Sequence, residues 1–310
     1  MLTILPYEMR LKCVDHMDPI SRARFSSLSR LCNQEAKSSI NFLHTLSLDI
    51  WGENDICIRI QHAPHSDKTK RGYILEFGAD DGYKYIRCER LGSTYELLWE
   101  ERIDSSVDLL HHCTEHFRYL LKLYERQIRR LEIKNFSSQH LSFKMDKLRN
   151  LEELVLSGNN TSNVFEIVSN LKHNLKILDI AGECSFEVLS DCEQIYQVQD
   201  SLTIQDLKLS HDKFLQLIAT NIHIDVEELS EENIVQLFIF GKPRKFIFEC
   251  SNSSFNISKL FKLIGKQFMH KMTSNKCEKH CSIAHPHENR EIASICFDNE
   301  ASRLTISIFQ

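Results

Sequence analysis

Glycine and proline are scarce in this chain, nine and five among 310 residues. That leaves little room for a flexible linker or a low-complexity tail. Few glycines also mean few places where backbone can cradle a phosphate. No phosphate loop, dinucleotide glycine fingerprint or Gly-x-Ser-x-Gly elbow is found. No apolar run approaches the roughly 18 residues of a membrane span, because charge interrupts each one. The start of the chain has neither the basic segment nor the apolar core of a secretory signal. Positive charge is not in excess: 38 Lys and Arg against 43 Asp and Glu leave a net charge of -5. A nucleic-acid partner is expected to leave a basic footprint, so that class is disfavoured. The expectation is a soluble intracellular protein, cytoplasmic or nuclear, with no membrane or nucleic-acid partner.

Cysteine is present but without a frame. Eleven cysteines, an odd number, are scattered without regular spacing. Reduced thiols are the better reading. Cys57, Cys250 and Cys296 sit in apolar contexts (DICIRI, FIFEC, ASICF), where cysteine behaves as a small hydrophobe.

What is there begins with helical spacing. Residues 4–39 read as three short helical segments. Pro6 suits a first turn, and Met9, Cys13, Val14 and Met17 recur on one face. Asp18-Pro19 restarts the pattern, with Asp as N-cap and Pro at the first helical position. Ile20, Ala23 and Phe25 follow. Leu28, Leu31 and Cys32 open a third segment that is expected to run out in polar Asn33-Gln34-Glu35.

From residue 43 the period shortens. TLSLDIW, DICIRIQ, GYILEFG and GYKYIRCERL predict strands, antiparallel or mixed, over a strand-rich stretch from 43 to 104. Residues 105–126 return to helical spacing through Val107, Leu110, Cys113, Phe117, Leu120, Leu121 and Tyr124. Over 128–213 an apolar-x-x-Leu-x-apolar core recurs in IRRLEIKNFS, LEELVLSGNN, LKILDIAGEC and IQDLKLSHDK. Its central leucines, Leu131, Leu154, Leu178 and Leu207, step by 23, 24 and 29 residues. Leucine-rich repeats have periods of about 20–29 residues. An ordinary βαβ domain with leucine-rich strands is the other reading. From 214 to 310 the pattern stays β/α: a helix from Ser230, the strand KFIFEC, the amphipathic helix SKLFKLIGKQFMHKM, and a terminal hairpin of IASICFD and RLTISIF.

The expected fold class is therefore α+β or α/β. A short N-terminal three-helix unit (1–42) precedes a β/α domain (43–310) with degenerate leucine-rich-repeat-like strands.

Chemistry-bearing clusters are few. Cys277, His280, Cys281, His285 and His287 fall within eleven residues and have the ligand types of a zinc site. No Cys-x-x-Cys pairing supports it, and a polar loop between helix and hairpin that happens to hold soft ligands is the better reading. His112 and His116 share a helix face, but Glu115 does not follow the first histidine as the zincin motif requires. The sequence calls for no cofactor and gives no positive sign of an enzyme.

One resemblance stands out. Leu5-Pro6-Tyr7-Glu8-Met9, then Val14, Met17, Phe25 and Leu28-Ser29-Arg30-Leu31-Cys32, resembles an F-box over about 35 residues. The departures are Cys13 at an apolar site, Met17 for the usual Leu and Cys32 for the commoner Trp. The rhythm of DKFLQLIATNIHIDVEELSEENIVQLFIFGKPRKFIF resembles the F-box-associated regions of the large nematode F-box families. The resemblance implies a non-catalytic substrate-receptor subunit of an SCF-type (cullin–RING) ubiquitin ligase. It would dock an SKP-family linker protein, and through it a cullin, by Leu5, Pro6, Glu8, Val14, Met17, Phe25 and Leu28. The β/α domain would present an unidentified protein target. The alternative is a leucine-rich-repeat-like interaction module whose first helices are a terminal cap.

Overall fold

The computed structural model describes residues 5–15, 17, 19–38, 43–62, 72–80, 82–92, 94–136, 145–158, 161–172, 174–182, 189–204, 211–225, 230–237, 244–249, 256–274, 278–284, 291–300 and 302–309. It divides into two compact units, one formed by 1–159 with 170–172, the other by 160–169 with 173–310.

The first unit opens with α1 (Tyr7–Asp15), α2 (Pro19–Leu28) and α3 (Arg30–Ser38). A sheet follows: β1 (Thr45–Gly52), β2 (Asp55–Gln61), β3 (Gly72–Asp80), β4 (Tyr83–Leu91) and β5 (Glu96–Ile103). After α4 (Leu109–Leu123) come β6 (Arg130–Phe136) and β7 (Glu153–Gly158). The strand order is β7-β6-β1-β2-β3-β4-β5. β7, β6 and β1 run parallel, and β1 to β5 form an antiparallel meander.

Side chains alternate across a strand, so register assigns every residue a face. Leu156, Ile133, Leu48, Ile58, Leu75, Cys88 and Trp99 form one row across all seven strands. Ile50, Ile56, Phe77 and Ile86 form the next. Helix α4 lies on this face through β2 and β3, burying Cys113, Phe117, Leu120 and Leu121. Its start is capped by Asp108, whose carboxylate accepts from the His111 N–H at 3.1 Å.

The opposite face is mostly polar. Val155, Glu132, Ser47, Arg59, Ile74, Glu89 and Leu97 share one row, and Lys134, Asp49, Cys57, Glu76, Arg87 and Glu100 the next. Buried Glu132 accepts from Arg130 at 2.6 Å and pairs with Lys134 at 2.9 Å. Burial alone pushes its carboxyl up, but these bonds outweigh it and hold it below the usual range. Asn135, at φ 57°, donates its side-chain amide to Asp49 at 2.8 Å and so fixes the end of β6. Asparagine tolerates this left-handed backbone better than most residues.

The second unit contains α5 (Thr161–Ser169), β8 (Ile177–Ala181), α6 (Glu193–Tyr196), β9 (Ser201–Ile204), α7 (His211–Gln216), β10 (Asn221–Asp225), α8 (Glu231–Leu237) and β11 (Arg244–Glu249). Then come α9 (Ile257–Gln267), β12 (Met269–Ser274), β13 (Glu278–Ala284), β14 (Glu291–Asp298) and β15 (Arg303–Ile308). The order is β8-β9-β10-β11-β15-β14-β13-β12. The first four are parallel and the last four add antiparallel. Leu178, Leu202, Ile222 and Phe246 lie in one buried row. Phe214 of α7 packs on Phe246 and Phe248 at ring distances of 5.6 and 6.1 Å. Lys259 of α9 joins Glu231 and Glu232 at the start of α8, at 3.0 and 3.1 Å.

Several expectations hold. The four strands of 43–91, the helix beginning at Leu109, the helix after Ser230 and the terminal hairpin are all formed. Four differ. The alternation does not mark ELLWEERI as a separate strand, and it forms β5. The fourth leucine-centred copy is displaced: β9 is Ser201–Ile204, and Leu207 lies outside the described residues. Leu202, with β-branched Thr203 and Ile204 beside it, takes the inward row that Leu207 was expected to fill. The amphipathic helix before the hairpin ends at Gln267. Phe268 turns extended there, at φ -130° and ψ 150°, and residues 269–274 pair as β12. The segment expected as a loop around Cys281 is strand β13.

The face assignment is testable. Phe77→Ala is expected to cost about 3–5 kcal/mol in urea unfolding. Ile74→Ala, one face over and only half-buried, is expected to cost clearly less.

Candidate functional site

The N-terminal helices are built around few residues. Pro6 starts α1, and its carbonyl accepts from the N–H groups of Met9 and Arg10 at 3.1 and 3.0 Å. Ser29 separates α2 from α3 and caps the latter, its hydroxyl accepting from the Cys32 N–H at 3.1 Å. Asp18, the expected cap of α2, lies outside the described residues, and α2 does begin at Pro19. Val14 and Phe25 are buried, at 0% and 6% exposure, as is Ala36.

Two buried charges fix this small interior. Glu35 is 2% exposed and receives Arg10 Nε at 2.6 Å, while Arg10 Nη1 reaches the Leu5 carbonyl at 2.7 Å. This pairing is why α3 does not run out at Asn33-Gln34-Glu35 as expected. With a guanidinium waiting inside, Glu35 can face inward and the helix continues to Ser38. Arg22 is 1% exposed and donates to the Val14 carbonyl at 3.0 Å. Its guanidinium lies 5.9 Å from the centre of the Tyr124 ring at the end of α4. Its Nε and Nη1 have no hydrogen-bond partner among the described residues.

Helix α2 is thereby joined to α4. The Tyr119 hydroxyl donates to the Ala23 carbonyl at 3.0 Å and makes a short hydroxyl contact with Ser26. Arg24 lies 4.8 Å over the Trp99 ring of β5. The inner side of the helical unit is occupied by its own chain.

The seven residues picked from sequence separate into two groups. Val14 and Phe25 are interior, so they support the surface without forming it. Leu5 and Met17 are half-buried, and Pro6 and Glu8 are exposed. Leu28 is 74% exposed at the end of α2. Tyr7, Leu31 and Met9 belong to the same motif but are not among the seven. They are 48%, 42% and 53% exposed. Leu28 thus stands in water at the α2–α3 junction, and Tyr7 and Met9 stand in water on α1.

The metal candidates do not assemble. Cys281 is buried on β13 with its thiol pushed up to about 11 by burial, and His280 is adjacent on the other face. Cys277, His285 and His287 lie outside the described residues. Among the described residues no group of three His, Cys, Asp or Glu is placed to hold a metal. The His112 and His116 rings lie 4.7 Å apart, tilted at 60°, and each meets Phe77 edge-on, while the His116 Nδ1 contacts the His112 carbonyl at 3.0 Å. No helix among the described residues is long and apolar enough to cross a membrane.

The F-box domain family matches residues 2–44. No curated protein and no solved structure matches the chain. The F-box span therefore coincides with α1, α2 and α3 and carries their exposed apolar residues with it.

Removing Arg10 leaves Glu35 as an unpaired buried charge. Arg10→Ala is expected to destabilise the helical unit by about 3 kcal/mol. Replacing both partners with apolar residues, Arg10→Met with Glu35→Leu, is expected to cost less. Thermal unfolding followed by circular dichroism compares the two.

Proposed function

We propose that this chain is a substrate-receptor adaptor of an SCF-type ubiquitin ligase. The F-box at residues 2–44 binds an SKP-family linker protein and through it a cullin. One observation carries the reading: the F-box span is also where Tyr7, Met9, Leu28 and Leu31 stand exposed. A short helical unit with apolar side chains in water gains stability by laying them into a partner's groove. An F-box protein is typically non-catalytic. Such an adaptor raises the effective concentration of its target near the ligase.

The remainder of the chain presents the target. We read its parallel strands and short intervening helices as a degenerate leucine-rich-repeat-like array. The support is a register step of 23 residues from Leu131 to Leu154 and of 24, 20 and 24 through Leu178, Leu202, Ile222 and Phe246. The succession α7, β10, α8, β11 supports the resemblance to F-box-associated regions.

The second reading, an interaction module with a helical cap, is favoured by the seam between α2 and α4. Because of that seam, deleting residues 1–42 would destabilise the chain under either reading and does not separate them. Surface substitutions do. Tyr7→Asp and Leu28→Asp change exposed residues, so melting is expected to stay within about 2 °C. Co-purification with the linker protein is expected to fall at least about tenfold. A wild-type chain that fails to retain the linker where a known F-box does would leave only the cap.

A further inference from the structure

A cleft of about 580 Å³ lies within the first unit, bounded by α2, by β3 to β5 and by α4. Its size is that of a pocket for one small ligand or one large side chain. Leu75, Ile86 and Ile103 contribute apolar wall, and Trp99 and Tyr119 contribute aromatic rings.

Three observations say what it takes. The first is an acid out of pattern. Across the row Ile50, Ile56, Phe77 and Ile86 the next residue is Glu101, a carboxylate at the end of an otherwise apolar row, and the cation nearest on that face of β4, Lys84, donates to the Val107 carbonyl at 2.6 Å. Glu101 lines the cleft.

The second is that a guanidinium already sits there. Arg24 lies over the Trp99 ring, with Nη2 4.0 Å from the Glu101 carboxylate. At that separation no hydrogen bond forms, and the two side chains are 64% and 61% exposed. Aromatic ring and carboxylate are the chemistry that holds a planar cation, and Arg24 uses them only loosely. The other charged groups facing the cleft do not compete with it. Glu115 is paired with Arg118, and burial, with His116 nearby, lowers the tendency of His112 to take a proton.

The third is that β5 is the outermost strand at this end of the unit's sheet. From Trp99 to Ile103 its pairing with β4 is regular, the register shift lying before it at Cys88 and Glu89. Its outer backbone groups have no strand partner among the described residues, and such an edge accepts an extended segment.

We propose that this cleft receives the arginine side chain of an extended segment of the target protein, added along β5 and displacing Arg24 from Trp99 and Glu101. Arg24 is then an internal stand-in that covers the site when no target is bound. As target recognition the proposal rests on the adaptor reading. The titration below needs no linker protein, so failure of one is seen separately from failure of the other.

The chain holds two tryptophans, Trp51 and Trp99. Trp51→Phe in the full chain leaves Trp99 as the sole indole reporter. The probes are a short peptide with one arginine among threonine and valine, the same peptide with glutamate instead, and arginine amide alone. The arginine peptide is expected to change the fluorescence saturably and the glutamate peptide not to. Arg24→Ala is expected to tighten binding about fivefold and Glu101→Gln to weaken it about tenfold. Both positions are exposed, and circular dichroism verifies folding. No saturable change in Arg24→Ala, unchanged affinity in Glu101→Gln, or equal binding of the glutamate peptide overturns the site. Arginine amide binding as tightly as the peptide overturns addition along β5.

Discussion

Three helices spanning about forty residues enclose too little interior to stand alone, and the N-terminal unit depends on how that shortage is met. Among the described residues of the helices, the buried apolar side chains are Val14, Phe25 and Ala36. Helix α2 in addition packs against α4. Arg22 is buried beneath α2 with its guanidinium toward Tyr124, and Tyr119 closes the seam by donating to the Ala23 carbonyl. A buried cation with two nitrogens unpartnered among the described residues is a costly way to build an interface. Arg22 is held from two sides, by the Val14 carbonyl of α1 and by the Tyr124 ring at the end of α4.

That anchoring sorts the side chains of the F-box. Residues facing α4 are consumed by the fold. Tyr7, Met9, Leu28 and Leu31 are what remains, and they point to water. A surface made this way is held before its partner arrives, so docking need not order the helices first. The same seam leaves a cleft beside it, lined from α2, the sheet and α4. Within one unit, then, the surface proposed for the linker and the candidate site for the target share helix α2.

Much of the first unit was legible from its period. The alternation in TLSLDIW and DICIRIQ reports a sheet with one apolar face, and the register confirms it residue by residue. Element type was read well where periodicity was strong. It failed where two patterns overlapped. IQDLKL has the repeat's spacing, yet Leu202 takes the inward row, because parallel register depends on the neighbouring strand and not on local leucines. ELLWEERI hid β5 because its acidic residues mask the alternation that places Trp99 and Glu101 on one face. At the candidate surface, Val14 and Leu28 look alike as apolar residues, although one is buried and the other exposed. Likewise nothing local says that Glu35 turns inward, since that is decided by Arg10, twenty-five residues earlier.

The central claim is that the N-terminal helices are held on one side by α4 and are open on the other to a linker protein. Hydrogen–deuterium exchange of the full chain, with and without an SKP-family linker protein, tests it most directly. The account predicts that the backbone of 19–27 is protected already in the free protein. On adding the linker, protection rises at 7–15 and 28–33, while β1 to β4 are unchanged. An α2 that exchanges freely until the linker is added would contradict the anchoring. Protection that leaves 7–15 and 28–33 unaltered would contradict the docking surface.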